Sequence, residues 1–366
     1  MTDSLLPPLP PDAETQTVEQ VSKRPRRRRR RDEPRLASAG HALVICVLGL
    51  ALALVLNAPG AHKRAYNQPE GWKRDVALAV TGPLETVAST LLLDLPRRFA
   101  QAAIGRSGVD RIDTEIALPE APAPTTPRAT PTTPARKEVF TPARRLRFWV
   151  AGDSLVVVPG QSIVRASGAS PVLESVGGIE GRIATGLSRP DVFNWFAEIR
   201  RQLRVLRPEL VIFGFGGNDD KTYMTGLPEG VSIGDFGDAA WRKEYARRVG
   251  GVMDIVARSG ARSIWIGLPQ TKDAEQTRRF DVVNSVVARQ ARIRPATATF
   301  IDTYTLFASD TGGYTQFLPD SAGEPVKVRA DDGVHFERAG GDTIARLVLR
   351  TLNKQYDLTS WRKKAA

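Results

Sequence analysis

FWVAGDSLVVVPG, at residues 148–160, runs from an apolar, β-prone segment into a Gly-Asp-Ser turn. Such a sequence predicts a strand that gives way to a helix, with Ser154 at the junction. A serine there is either a nucleophile or one more hydroxyl in a loop. The tetrapeptide at 152–155 alone does not decide between them, because Gly, Asp and Ser are common turn residues.

Outward from this stretch, apolar strand-like segments alternate with helical segments. Strands are predicted at 145–152, 209–217, 262–269 and 298–307, and helices at 191–207, 239–260, 274–292 and 337–356. Apolar strands separated by helices of this length imply a parallel sheet covered on both faces. We therefore predict a three-layer α/β domain with its chemistry at the C-terminal ends of the strands.

A long apolar segment near the N-terminus has a different character. HALVICVLGLALALVLNA (41–58) has no charge from Ala42 to Leu56 and is close to the roughly 20 residues that cross a bilayer. The basic run at 23–31 precedes it, which favours a single-pass signal anchor with a cytoplasmic N-terminus. We predict an uncleaved transmembrane anchor at 40–58, since only a loose small-residue site follows. A cleaved signal peptide and a buried core helix are the alternatives.

The rest of the chain divides by composition. Residues 1–39 are rich in Pro and Arg and are predicted to be a disordered cytoplasmic tail. Residues 59–116 are predicted to form a stalk with short helices, which could pack on the main domain, lie on the membrane surface or contact a partner, with packing favoured. The Pro- and Thr-rich segment 117–144 predicts an extended linker, so the C-terminal domain covers 145–366.

Composition also limits the classes of function. The single cysteine, Cys46, excludes an intramolecular disulfide framework and a cysteine-based metal site, and neither a cofactor nor a metal is expected. The net charge of +12 would suit a nucleic-acid partner. However, no nucleic-acid-binding module is recognisable, and the arginine run at 26–31 is interpreted as a topology signal, so we expect no nucleic-acid partner.

Polar blocks follow the first and the central predicted strands, and a third block lies just before the last predicted helix. They are Gly-Asp-Ser-Leu at 152–155, Gly-Gly-Asn-Asp at 216–219 and Asp-Gly-Val-His at 332–335. The C-terminal ends of parallel strands lie side by side, so these blocks can converge. His335 is the one histidine within the predicted domain, and it is the plausible base for Ser154. Asp332, three residues earlier, can orient the imidazole.

These blocks, in this order, resemble those of the SGNH (GDSL-type) hydrolase family over roughly residues 145–356. The resemblance implies a three-layer α/β/α fold with a flavodoxin-like parallel sheet. It also implies that Ser154 attacks an ester carbonyl, with His335 as general base and Asp332 orienting His335. Asp331 is a rival to Asp332, but the family spacing favours Asp332.

The resemblance further implies an oxyanion hole. Its donors would be the backbone N–H of Ser154, the backbone N–H of Gly186 and the side-chain amide of Asn218. Gly186 lies in ATGLSRPD (184–191), which best corresponds to the glycine block of the family. Three nearby glycines are rivals for this role, namely Gly177, Gly178 and Gly181.

The predicted location narrows the substrate. A domain tethered outside the cytoplasmic membrane faces envelope or exported polysaccharide, so we expect periplasmic hydrolysis of O-acetyl esters on such glycans through a Ser154 acyl-enzyme. An O-acetyltransferase of the same fold is one alternative, and a non-catalytic glycan-binding or scaffold protein of an export assembly is another. The expected partners are an acylated glycan, the membrane through residues 40–58, and proteins of a polysaccharide modification system.

Overall fold

The computed structural model describes residues 38–68, 71–103, 108, 110–119, 137–220, 223–228 and 230–364. Nearly all of the predicted tail and most of the predicted linker lie outside these residues. The chain divides into two compact units, Met1–Ala53 and Leu54–Ala366.

The elements follow in chain order. The helices in the described part of the chain are α1 (Ala39–Leu56), α2 (Ala58–Tyr66), α3 (Trp72–Thr90), α4 (Leu95–Ala103), α5 (Val157–Ser167), α6 (Trp195–Leu206), α7 (Ala239–Arg258), α8 (Ala274–Arg292), α9 (Thr303–Leu306) and α10 (Arg338–Gln355). The strands there are β1 (Glu138–Val139), β2 (Leu146–Gly152), β3 (Leu173–Gly181), β4 (Leu210–Gly214), β5 (Arg262–Ile266), β6 (Ala298–Ile301), β7 (Phe317–Pro319), β8 (Pro325–Lys327) and β9 (Tyr356–Asp357).

The apolar N-terminal segment forms α1, an 18-residue helix with a mean hydropathy of 2.5. None of its side chains is buried. By length and composition, α1 is able to cross a membrane, and a signal sequence at this position has the same properties. The helix ends at Leu56, two residues before the predicted end of the anchor.

The central sheet has five parallel strands in the order β3-β2-β4-β5-β6. This is the flavodoxin-like order, so the fold predicted from the sequence is confirmed. Helices α5 and α10 pack together, as do α6 with α7 and α7 with α8. The order of strands reverses between β2 and β4, and ligands of such sheets bind at the C-terminal side of this reversal.

The strands are shorter than their apolar patterns predict. The segments predicted at 209–217, 262–269 and 298–307 pair only over β4, β5 and β6. Phe215, Leu268 and Phe307, which follow these strands, are each at most 2% exposed. Their apolar character therefore reflects burial and not strand pairing, and residues 303–306 of the last segment form helix α9 and not a strand.

Two elements beside β2 are absent from the sequence prediction. Strand β3 is an edge strand that contains exposed Gly177 and Gly178, and its pairing with β2 shifts in register between Phe148 and Val150. Such a strand lacks the apolar signal of a buried one. Helix α5 contains Pro159 near its start, where proline is tolerated because that N–H has no helical partner.

Residues before Arg145 also contact the C-terminal domain. Strand β1 pairs in parallel with β9, so pairing begins at Glu138. Upstream, the side-chain amide of Asn194 donates to the carbonyl oxygen of Glu115 at 2.9 Å. Leu118 packs against the core beside Gly251. Parts of the predicted stalk and linker therefore lie on the surface of this domain.

Gly152 ends β2, opposite Gly214 of β4, and the two backbones approach closely. A Cβ at Gly152 would fall well inside van der Waals contact with the carbonyl oxygen of Gly214. We expect Gly152→Ala to lower the free energy of unfolding by about 1–3 kcal/mol, because backbone atoms cannot move aside as a side chain can. Urea unfolding of the full chain in detergent measures the loss. Gly313→Ala is the control, since a Cβ there meets only the Ser309 hydroxyl at 3.9 Å, and an equal loss in both variants would contradict the account.

Candidate active site

Ser154 lies immediately beyond β2, at the start of a single 3₁₀ turn (Ser154–Val156) that leads into α5. The carboxylate of Asp153 caps this turn by accepting from the backbone N–H of Leu155 at 2.8 Å. The serine is thus placed at a strand-to-helix junction, as the sequence predicts. Its backbone N–H belongs to the first turn of a helical segment, where unpaired N–H groups favour negative charge.

The structure brings the predicted serine, histidine and aspartate together. The hydroxyl oxygen of Ser154 lies 2.8 Å from Nε2 of His335, across 181 residues of sequence. On the other side of the ring, Nδ1 of His335 lies 2.6 Å from Oδ2 of Asp332. Hydrogen bonds thus run from the serine to the histidine and from the histidine to the aspartate, with the distances of a catalytic triad.

Asp332 is held by the turn that it caps. Its Oδ1 accepts from the backbone N–H groups of Val334 at 2.8 Å and His335 at 2.9 Å. Partial burial raises the pKa of Asp332, but the hydrogen bonds from the His335 and Val334 backbone and from the His335 ring outweigh it and bring the pKa to about 2. The carboxylate is therefore ionised at neutral pH, and it fixes the Nδ1–H tautomer that leaves Nε2 as the acceptor facing Ser154.

The rival carboxylate is directed elsewhere. Asp331 accepts from Lys327 Nζ at 2.7 Å and from the side-chain amide of Gln316 at 2.9 Å. It is 88% exposed, and these two hydrogen bonds lower its pKa. The geometry therefore selects Asp332 as the partner of the His335 ring.

A buried arginine that the sequence analysis missed supports the same turn. The guanidinium of Arg329 is fully buried and donates to the carbonyl oxygens of Gln270 and Val334, both at 2.6 Å. It also stacks on the ring of Phe336, 5.0 Å from the centroid. Burial lowers the pKa of Arg329 to about 10. No motif distinguishes this arginine from those on the surface, because its burial depends on the loop of Gln270, which is 59 residues away in sequence.

Two buried aspartates tie the loops around Ser154 together. The two carboxylate oxygens of Asp153 accept from the backbone N–H groups of Leu155 and Gly217, each at 2.8 Å. Asp219 accepts from the backbone N–H of Leu187 at 3.0 Å and from the Tyr245 hydroxyl at 2.9 Å. Burial raises the pKa of Asp153 to about 7, with the nearby charge of Asp219 adding to the shift. Burial also raises the pKa of Asp219.

The two loops predicted to carry oxyanion donors meet each other. The side-chain amide of Asn218 donates to the carbonyl oxygen of Thr185 at 3.1 Å, next to Gly186. A Cβ at Gly186 would collide with the carboxylate of Asp219, so this close approach requires glycine. Of the rival glycines, Gly177 and Gly178 lie within β3, and Gly181 ends β3 opposite Gly152. Gly186 is therefore the glycine that the structure places against Asn218 and Asp219.

The described residues contain no cluster of three or more His, Cys, Asp or Glu side chains that could hold a metal ion. They do contain the hydroxyl of Ser154 hydrogen-bonded to the imidazole of His335, which is in turn hydrogen-bonded to the ionised carboxylate of Asp332. This arrangement can remove the serine proton as the oxygen attacks a carbonyl carbon.

The strand order, the loops after β2 and β4, and the hydrogen-bonded Ser154, His335 and Asp332 define an SGNH-type serine hydrolase. Residues 147–351 match the sequence family described as "Protein of unknown function (DUF459)", which is more than half of the chain. The chain belongs to this family.

Comparison with other proteins gives distant similarities. No functionally curated protein matches the sequence. Among solved structures, an acetylxylan esterase mutant from Geobacillus stearothermophilus is 15% identical with a TM-score of 0.38, covering 58% of this chain and 95% of the esterase. A GDSL-like lipase from Bacteroides thetaiotaomicron is 14% identical with a TM-score of 0.39, covering 57% of this chain and 88% of the lipase. The class of this protein is inferred from the geometry of its own site and not from these distant matches.

Proposed function

We propose that the protein is a membrane-anchored serine esterase that hydrolyses O-acetyl esters on envelope or exported polysaccharide. The observation that carries the esterase chemistry is the continuous hydrogen-bonded chain from Ser154 through His335 to Asp332. A serine bonded in this way is an activated nucleophile, and acyl transfer is the reaction that such nucleophiles perform.

In the proposed mechanism, Nε2 of His335 takes the proton of the Ser154 hydroxyl as its oxygen attacks the ester carbonyl. The resulting imidazolium is stabilised by the ionised carboxylate of Asp332. His335 then gives the proton to the leaving alkoxide of the sugar, which leaves an acetyl group on Ser154. A water molecule, deprotonated by His335, attacks this acyl-enzyme, and acetate is released as Ser154 regains its proton.

The negative charge on the carbonyl oxygen is assigned to three donors, the backbone N–H groups of Ser154 and Gly186 and the side-chain amide of Asn218. An asparagine amide has two N–H groups. The bond from Asn218 to the carbonyl of Thr185 fixes the orientation of the amide, and the second N–H is assigned to the oxyanion. Donors that are fixed before reaction stabilise the transition state without reorganisation.

Asn218→Ala is expected to lower kcat by about 10²–10³-fold with a smaller change in KM, because the lost bond strengthens only in the transition state. Steady-state hydrolysis of p-nitrophenyl acetate by the full chain measures both constants. Asn284→Ala is unsuitable as a control, because the buried Asn284 amide accepts from the backbone N–H of Leu268 and donates to its carbonyl oxygen. Exposed Asn353→Ala is the matched control and should retain wild-type kcat. An Asn218→Ala variant with unchanged kcat would remove this residue from the oxyanion hole.

The proposed location is the cytoplasmic membrane, with the N-terminus inside and the catalytic domain in the periplasm. Support comes from the basic run at 23–31, which precedes α1 and would stay in the cytoplasm. A reporter enzyme that is active only outside the cytoplasm, fused after residue 60, should be active. A reporter that is active only inside, fused at the same place, should be inactive, and the opposite pair of results would reverse the topology.

The substrate is tested by incubating the full chain with O-acetylated polysaccharide and measuring acetate. We expect acetate release that depends on Ser154 and does not require an acceptor glycan. If acetyl groups moved to an added glycan faster than acetate appeared, the protein would instead be a transferase of the same fold. Glycan binding with no acetyl release or transfer on any ester would favour the scaffold alternative.

A further inference from the structure

Helices α3 and α4 expose a row of large apolar side chains. The members of this α3–α4 face are Trp72, Val76, Val80, Val87, Leu95 and Phe99. On α3 they recur at intervals of four or seven residues, so they lie along one side of the helix. Trp72 and Phe99 are each 71% exposed. Exposed large apolar side chains grouped in this way mark a site of contact with a partner or a membrane.

The other side of α3 is already covered by α2. Nδ1 of His62 lies 3.2 Å from the hydroxyl of Thr81, and Nε of Arg74 donates to the carbonyl oxygen of Tyr66 at 3.1 Å. Ala88 is fully buried. Helix α2 therefore covers one side of α3. The apolar side chains on the opposite side of α3 are not explained by this packing.

The sequence of this pair favours lying on a bilayer over crossing it. The axes of α3 and α4 are bent by 83° from each other. Lys73, Arg74 and Asp75 stand in the first turn of α3, and Arg97 and Arg98 stand in α4. Charges of this kind are costly in the hydrocarbon core but are tolerated at the interface.

We propose that the α3–α4 face docks on the surface of the lipid bilayer into which α1 inserts, a step that rests on the proposed anchoring of α1. Only Asn57 separates α1 from α2, and α2 packs on α3. This short connection keeps the face near the bilayer and gives it a high effective concentration there. Trp72 is suited to this place because tryptophan concentrates at membrane interfaces.

Docking would position the active-site loops relative to the membrane. The guanidinium of Arg189, in the same loop as Gly186, donates to the carbonyl oxygen of Asn67 at 3.1 Å, just after α2. Asp191 holds this arginine through a buried ion pair. A docked α2–α3 pair would therefore keep this loop close to the lipid surface.

Because Cys46 is the one cysteine in the sequence, the contact can be probed residue by residue. In a Cys46→Ser background, Val80→Cys or Phe99→Cys carries an environment-sensitive fluorophore. Ile293→Cys, an exposed apolar position at 62% exposure in the C-terminal domain, is the matched control. The full chain is inserted into nanodiscs of phosphatidylethanolamine and phosphatidylglycerol, with or without lipids that carry an acyl-chain quencher.

We expect blue-shifted emission at positions 80 and 99 and quenching by the labelled lipid at least about two-fold stronger than at 293, since only interfacial residues reach the acyl chains. Equal and weak quenching at all three positions would overturn the proposal. A blue shift without lipid quenching that grows with the number of chains per nanodisc would also overturn it and identify a second copy as the occupant. Failure of the chain to enter nanodiscs would overturn docking and anchoring together, while leaving the esterase assays unaffected.

Discussion

The Ser154→Ala variant is expected to lose at least about 10⁴-fold in kcat for p-nitrophenyl acetate, because it lacks the hydroxyl that is proposed to form the acyl-enzyme. Its folding should be preserved, since the Ser154 side chain bonds His335 and supports no backbone in the described structure. Steady-state kinetics on the full chain in detergent measure the loss, and urea unfolding confirms that the variant is folded.

Ser285→Ala is a matched control for this variant. Ser285 is exposed on α8, where its hydroxyl donates to the carbonyl oxygen of Val282. Its removal should leave kcat unchanged. If Ser154→Ala kept activity comparable to that of Ser285→Ala, Ser154 would not be the nucleophile and the proposed mechanism would be wrong.

The second large effect is expected from Asp332→Asn, which should lower kcat by about 10²–10⁴-fold. An asparagine cannot stabilise the imidazolium form of His335, and its amide can present a donor where the ring requires an acceptor. Asp331→Asn is the control from the adjacent residue, because Asp331 bonds Lys327 and Gln316 and not the histidine. We expect that variant to keep kcat near the wild-type value. Equal losses in both variants would contradict the assignment.

The lowered pKa of Asp332 makes the stabilising effect of its contacts with His335 depend on pH. The pKa is lowered from an unfolded value of 3.8 to about 2 in the folded protein. The folded state then binds fewer protons than the unfolded state between these values, so the contact stabilises the fold fully above about pH 4 and this stabilisation is lost as the pH falls towards 2. Unfolding of the Asp332→Asn variant should therefore be less sensitive to pH in this interval than that of wild type.

The sequence predicts those parts of the fold whose burial is two-sided. Strands β2, β4 and β5 are apolar runs between amphipathic helices, and the predicted parallel sheet follows from them. Edge strand β6 is also predicted, although only its first and last residues are buried. Edge strand β3 has no such signal, because its residues are partly exposed and include three glycines. Strands β1 and β9 are two residues each, which is too short for any periodicity to appear.

The residues of the candidate site also differ in how far the sequence predicts them. Ser154 and Asn218 lie in short polar blocks after β2 and β4, and Asp332 and His335 lie in a block just before α10. These local blocks could be found in the sequence, and the fold brings Ser154, His335 and Asp332 together. Gly186 is the sequence's best match to the glycine block of the family, and its close approach to Asp219 sets it apart from the rival glycines, which lie in β3. Arg329 could not be predicted, because one of its acceptors, Gln270, lies in a loop 59 residues away in sequence and meets Arg329 only in the folded chain.

The most direct test of the central claim is reaction of the full chain with a fluorophosphonate, followed by mass spectrometry of its peptides. We predict one adduct, on Ser154, formed in parallel with the loss of esterase activity, and formed far more slowly in a His335→Ala variant because the base is absent. Full esterase activity after complete modification of Ser154, or inactivation through an adduct on a different residue, would contradict the account.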